Sequence, residues 1–357
     1  MNDLQQEVHH SVNSQLDLLA RSTVDRFYAL TFKGLRPNNE ILYAKALRDA
    51  RHHFSNLAAS LAADDPVLFL DYIAWAQVLF SGLSFSSEML PSALNIMSHV
   101  LADTLQPDAA AEANGYIEKA LERLPAAPEA TVSFLSPDAP LHRLAANYLD
   151  ALLGADRQAA NQLILDAVAQ GENVRDIYLY VFQRCQHEIG RLWQMNQISV
   201  AQEHYCTAAT QMIMSQLYPH IFASGKNGCR LVATAIGDEL HEIGVRMVAD
   251  FLEIEGWNTY YLGANTPIES IISTIETLHV DVVALSATMA VHVEQVAETI
   301  DRIRKSSGNP SVKILVGGRP FQIAQDLWKR VGADGYAQNA EEAVDVARQF
   351  CLGSNEH

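Results

Sequence analysis

Three stretches of the chain place residues able to do chemistry at spacings that matter. "ELHEIG" sets Glu239 two residues before His241 and Gly244 three after it, where an apolar run hands over to an amphipathic helix. A neutral imidazole nitrogen is a good transition-metal ligand, and the ring's other nitrogen needs an acceptor to fix its orientation and basicity. Glu239 suits that task, and the adjacent Asp238 competes for it. Ser286 and Thr288 follow "VDVVAL", and Gly317–Gly318 follow "VKILV". Glycines of this kind let backbone approach a bulky cofactor. The third stretch, "WQMNQISVAQEH", separates Trp193 from Glu203–His204 by nine residues. Each feature alone has a plain structural reading. His241 could be a helix-start histidine bonded to an acid, Trp193 a core aromatic, Glu203 a first-turn acid favoured by the helix dipole, and the glycine pair a strand-end turn.

The surrounding elements must bring these residues together. From Cys229 onward, "CRLVATAI", "NTYYLG", "VDVVALSAT", "VKILVGG" and "DGYAQ" read as strands. Amphipathic helices are expected near 241–255, 268–278, 291–305, 322–331 and 340–350. Five alternating β–α units imply a doubly wound, parallel, five-stranded Rossmann-like sheet. Ligands bind such sheets beyond the carboxyl ends of the strands, so His241, Ser286, Thr288, Gly317 and Gly318 should share one edge. No GxGxxG follows the first strand, which argues against a nicotinamide enzyme. Upstream, helices near 141–153, 157–169, 174–195 and 200–223 suit an antiparallel four-helix bundle. Ser199 and Gln202 have the spacing of a capping box. The chain is expected to divide into an N-terminal helical domain (1–124), a proline-rich linker (125–140), the bundle (141–226) and the sheet domain (227–357).

The motifs of the sheet domain resemble those of cobalamin-binding domains. Glu239, Leu240, His241 and Gly244 match D/E-x-H-x-x-G, Ser286 and Thr288 match S-x-L or S-x-T, and Gly317–Gly318 match GG. The resemblance implies base-off binding, with His241 as the lower cobalt ligand and the nucleotide tail beside the sheet, where Ser286 can meet the tail base. Trp193, Glu203 and His204 resemble the W-x9-E-H signature of adenosylcobalamin light sensors of the carotenogenesis-repressor (CarH) type. There these residues surround the adenosyl group. Gln194 departs from that pattern, because the sensors have at this position a His that caps cobalt after illumination. The N-terminal segment lacks the repressors' basic DNA-binding domain. The overall arrangement is most similar to the photocobilins, which adds biliverdin as a second chromophore. With no cysteine before Cys185, a bilin in the N-terminal domain would be held non-covalently. Phe69, Tyr72 and Trp75 are its candidate contacts, although their spacing equally suits a helical core.

Bulk properties agree with a globular chain. Its 357 residues carry a net charge of −17, which argues against duplex nucleic acid as a partner. No apolar run reaches membrane-spanning length, and the N-terminus lacks a signal-peptide core. The four cysteines, Cys185, Cys206, Cys229 and Cys351, show no paired spacing and read as buried or idle thiols in a reducing cytoplasm. The leading expectation is a non-enzymatic, cytoplasmic photoreceptor. Light would cleave its Co–C bond and change the association state of a homo-oligomer or act on an effector protein. The alternative is a corrinoid protein that carries a methyl group between two other proteins. A radical mutase is weaker still, because no eightfold β–α barrel pattern is present.

Overall fold

The computed structural model describes residues 3–31, 40–124, 131–222, 225–305 and 311–353. Two compact units divide the chain. One gathers Met1–Glu129 with Ala287–Asp301 and Gly318–Ala333, and the other gathers Ala130–Ser286, Arg302–Gly317 and Asp334–His357.

The first unit contains six helices from the N-terminal part of the chain: α1 (Asp3–Ser14), α2 (Leu16–Thr31), α3 (Glu40–Ala62), α4 (Pro66–Gly82), α5 (Met89–Thr104) and α6 (Pro107–Arg123). Asp65 caps α4 by accepting the Val67 N–H (3.1 Å), and Pro66 fills a first-turn position whose N–H has no helical partner. Val12, Leu19, Phe54, Leu57, Leu61, Phe69, Leu94 and Ile117 are buried in one core. Phe69 lies within that core, Tyr72 packs against Phe69 and stacks on Trp75, and the Tyr72 hydroxyl hydrogen-bonds the buried His53 Nδ1 (2.8 Å). Phe69 and Tyr72 therefore do the packing work of a helical core, while Trp75 is exposed beside Tyr72. Within this unit Arg319 pairs with Asp71, and Arg330 with Asp65 (2.7 Å).

Of the expected linker, residues 125–130 lie outside the described residues. Beyond it, the second unit begins with α7 (His142–Leu153) and α8 (Arg157–Ala169). The third bundle helix runs from Val174 to Gln194 as α9 (Val174–Ile177), a π-helical stretch (Tyr178–Gln183) and α10 (Arg184–Gln194). The fourth, α11 (Val200–Gln216), carries the full Ser199–Gln202 capping box. It ends sooner than its apolar pattern suggests. Pro219 cannot continue the ladder, and a short α12 (Tyr218–Ile221) follows; Ala223 lies outside the described residues.

The sheet has β1 (Arg230–Ile236), β2 (Asn258–Thr266), β3 (Val282–Ser286), β4 (Lys313–Gly317) and β5 (Gly335–Ala337). All pairings are parallel, in the order β2-β1-β3-β4-β5. The expected fold is therefore the observed one: helices, a bundle and a five-stranded parallel sheet. The connecting helices are α13 (Ile243–Ile254), α14 (Ile268–Leu278), α15 (Val293–Lys305), α16 (Arg319–Ile323), α17 (Leu327–Arg330) and α18 (Ala340–Gly353). The single helix expected at 322–331 is two, because Asp326 takes a left-handed backbone (φ 58°) that interrupts it.

The cysteine expectation needs a correction. Cys229, just before β1, and Cys351, in α18, form a disulfide with Cα atoms 6.5 Å apart. The fold brings together two residues that are 122 positions apart in the chain, a proximity that spacing alone could not reveal. Cys185 and Cys206 are free and buried, as expected.

Candidate functional site

The strand order changes direction between β1 and β3, so their carboxyl ends bound the crevice where sheets of this kind take ligands. The register Ala235↔Ser286 and Ser286↔Gly317 sets the tips of β1, β3 and β4 side by side. The segment after β1 turns sharply. Glu239 N–H donates to Ile236 O (3.1 Å), and Asp238 adopts φ 61°, donating its N–H to Asn265 Oδ1 (2.8 Å). Asn265 N–H returns to Glu239 O (3.0 Å). This turn faces Glu239 inward and leaves Asp238 exposed, which settles which acid serves the histidine.

Glu239 Oε1 accepts both the His241 Nδ1–H (2.6 Å) and the His241 backbone N–H (3.0 Å). The carboxylate is 1% exposed and the imidazole 60% exposed. With Nδ1 protonated and committed to the carboxylate, the neutral ring keeps its lone pair on Nε2. The Glu239 hydrogen bond raises the His241 pKa, against the lowering effect of burial, and the Glu203 charge raises it further. Leu240 is 72% exposed, and a Cβ at Gly244 would meet nothing within 4 Å.

The glycine pair behaves differently. Gly318 has φ 109°, and a Cβ there would stand 2.0 Å from Ala287 O. Its requirement for glycine is thus met by the protein's own backbone. A Cβ at Gly317 would lie 3.3 Å from Ala337 O. Ser286 and Thr288 are half-buried at the end of β3 and just beyond it.

On the bundle, Trp193 is half-buried near the end of α10. His204 is 75% exposed and hydrogen-bonds Glu203 through Nδ1, while the other Glu203 oxygen accepts the Thr207 hydroxyl (2.9 Å). This Glu–His pair is satisfied on the surface of its own helix. Sequence reasoning missed Glu242, Gln211, Tyr261 and Asn265, which hold the His241 segment on both sides. Only Glu242 carried a signal, as a variable position inside "ELHEIG".

Among the described residues no group of three or more His, Cys, Asp or Glu could hold a bare metal ion. A lone imidazole backed by a buried carboxylate suits a metal whose other positions are already filled by a macrocycle, and the open space at Gly244 suits a large group.

The B12 binding domain family matches residues 229–345, and a second B12 binding domain family matches residues 144–218. Dimethylamine corrinoid protein 3 of Methanosarcina mazei is 31% identical over 138 residues, covering 38% of this chain and 80% of that protein. The chain belongs to the corrinoid proteins. Trimethylamine corrinoid protein 1 of Methanosarcina acetivorans is 26% identical over 209 residues, covering 57% of this chain and 94% of that protein. The solved structure of the Methanosarcina barkeri monomethylamine corrinoid protein superposes with a TM-score of 0.52 at 24% identity, over 58% of this chain and 99% of that one, and supports the fold.

These relatives overturn the likeness to CarH-type sensors and photocobilins. The relatives are dimethylamine and trimethylamine corrinoid proteins by name, and the B12 binding families match both the bundle and the sheet. The photoreceptor reading, its biliverdin chromophore, its light-dependent homo-oligomer and its light-driven effector fall together. The physical reason lies in α11. Trp193, Glu203 and His204 match a short signature, but Glu203 and the exposed His204 bond each other, so nothing in the pair demands an adenosyl group. The corrinoid cofactor stands, and so does the non-enzymatic reading of the chain. Among the described residues no helix is long and apolar enough to cross a membrane.

Proposed function

We propose that the chain carries a corrinoid bound base-off, with His241 as the lower cobalt ligand, and passes a methyl group between methyltransferases. The observation that carries this reading is the Glu239–His241 pair, 2.6 Å apart at the switch point of a B12-binding sheet. When bound, the cobalt supplies a centre that takes a methyl group from one substrate and gives it to another. The chain's own residues do the rest. Glu239 holds the Nδ1 proton, which keeps Nε2 basic and fixes the ring. Ser286 and Gly317, at the ends of β3 and β4, would meet the nucleotide tail, Thr288 and Gly318 are the motif residues that follow them in the chain, and Gly244 leaves room for the tail. Trp193, Glu203 and His204 are the bundle residues available to the other side of the macrocycle. A methyl rather than an adenosyl upper ligand fits the relatives, and methylated amines are the first donor class to test.

The full chain would be loaded with hydroxocobalamin, reduced, and mixed with a methylamine methyltransferase and a carbon-13-labelled methylated amine. The expected result is label on the protein-bound cofactor, released when a second methyltransferase and a thiol are added. If no methylated amine, methanol or thioether delivers label with its own methyltransferase, the carrier reading is wrong.

A further inference from the structure

Glu242, the residue after His241, is bonded from two directions. Gln211 on α11 donates its Nε2–H to Glu242 Oε1 (2.7 Å), and Tyr261 on β2 donates its hydroxyl to Oε2 (2.7 Å). The strand is shaped to allow this. The β1–β2 register slips between Ala233↔Tyr261 and Thr234↔Gly263, and Gly263 has φ 84°, with a Cβ there falling 3.3 Å from Glu242 Oε2. Burial of the Tyr261 phenol, and then its bond to the Glu242 carboxylate, hold it far above its ordinary pKa, so the phenol remains a donor.

One helical turn on, Arg246 returns to the same part of the bundle. Its Nη1 donates to Gln211 O (3.0 Å), and its Nη2 donates to Ser215 Oγ (2.8 Å) and Tyr218 Oη (3.2 Å). Gln211 is therefore gripped twice, by side chain from Glu242 and by backbone from Arg246. These bonds tie the start of α13 to α11, and α13 starts two residues after His241.

We propose that Glu242 is a positioning residue for His241. By joining Tyr261 of β2 to Gln211 of α11, it fixes the chain on the far side of the imidazole from Glu239, so that the seat of the bundle sets how firmly the ring is presented. Asn265 holds the near side, and Glu242 holds the far side. This inference rests on the cofactor reading above, and it assigns a role to contacts that the cobalamin motif does not include.

The test compares wild type with Glu242→Ala, Glu242→Gln, Tyr261→Phe and Gln211→Leu in the full chain. Three properties are read: the His-on fraction in the absorption spectrum after loading with hydroxocobalamin, the cobalamin Kd, and hydrogen exchange of residues 237–243 without cofactor. Glu242→Ala is expected to lower the His-on fraction, weaken binding about tenfold, the lower end for partners one step removed from a metal, and speed exchange. Tyr261→Phe and Gln211→Leu should each do part of this. Glu242→Gln should recover most of it, because its amide oxygen accepts from Tyr261 and the Gln211 amide can turn to match. A Glu242→Ala protein with wild-type spectrum, affinity and exchange overturns the inference. Should that variant not fold, Tyr261→Phe decides, and unchanged values there overturn it equally. A wild-type chain that takes up no cobalamin His-on sinks the cofactor reading itself, which is a distinguishable failure.

Discussion

At the scale of single residues, the candidate site was legible wherever chemistry selects a residue type. An imidazole with a carboxylate two positions earlier is a pattern a reader can find, but the choice between Glu239 and Asp238 depends on a turn. The left-handed backbone at Asp238 and its bond to Asn265 make that choice, and neither is visible in one strand's sequence. The glycines divide in the same way. Gly318 is required because any added Cβ would stand 2.0 Å from Ala287 O, whereas Gly244 faces open space. Gly318→Ala should therefore destabilise the cofactor-free chain by about 2 kcal/mol or more, read from urea unfolding. Gly244→Ala should leave that stability unchanged within about 1 kcal/mol, since alanine favours a helix, yet weaken cobalamin uptake. Equal effects of the two on apo stability would show that the space at Gly244 is not reserved for a ligand.

At the scale of elements, apolar periodicity located the strands and most helices, and it failed where a local backbone event intervened. Asp326 split one helix and Pro219 shortened another. Periodicity also cannot show what two helices say to each other through buried ionisable groups, and two such groups make opposite predictions. Burial pushes Asp250 of α13 up to about 6, against its bond from Tyr178 and the nearby Arg246. The folded chain thus holds that proton more tightly than the unfolded one, so this group's contribution to stability falls as pH rises from about 4 to about 6. Burial pushes His53 of α3 down to about 4. Its contribution is present above the ordinary histidine pKa of 6.5 and is lost as pH falls towards 4. Unfolding measured from pH 4 to 7 should lose the first slope in Asp250→Asn and the second in His53→Phe. A variant whose pH profile matches wild type would refute the corresponding assignment.

At the scale of the whole molecule, the α/β class and the bundle followed from the alternation of strands and helices, and the candidate site was proposed from where the motifs fall on the strands. The function did not. Trp193 and Glu203–His204 are a short match across the turn between two bundle helices, and such a match carries less information than similarity spread over the bundle and the sheet together. The disulfide was equally hidden, because only the closed fold sets Cys229 beside Cys351. Closing a loop of 122 residues should stabilise the oxidised chain by up to about 4–5 kcal/mol on chain-entropy grounds. Urea unfolding with and without a reductant, alongside thiol counting, checks this, and an unchanged midpoint on full reduction would contradict it. The central claim is that His241 replaces the cofactor's own base on cobalt. The most direct measurement is electron paramagnetic resonance of the chain loaded with cobalamin in its Co(II) state, using protein whose histidines carry nitrogen-15. Axial nitrogen-14 splits each cobalt line into a triplet, and nitrogen-15 splits it into a doublet. The account predicts a doublet that disappears in His241→Ala; a persistent triplet, or a doublet that survives the substitution, would contradict it.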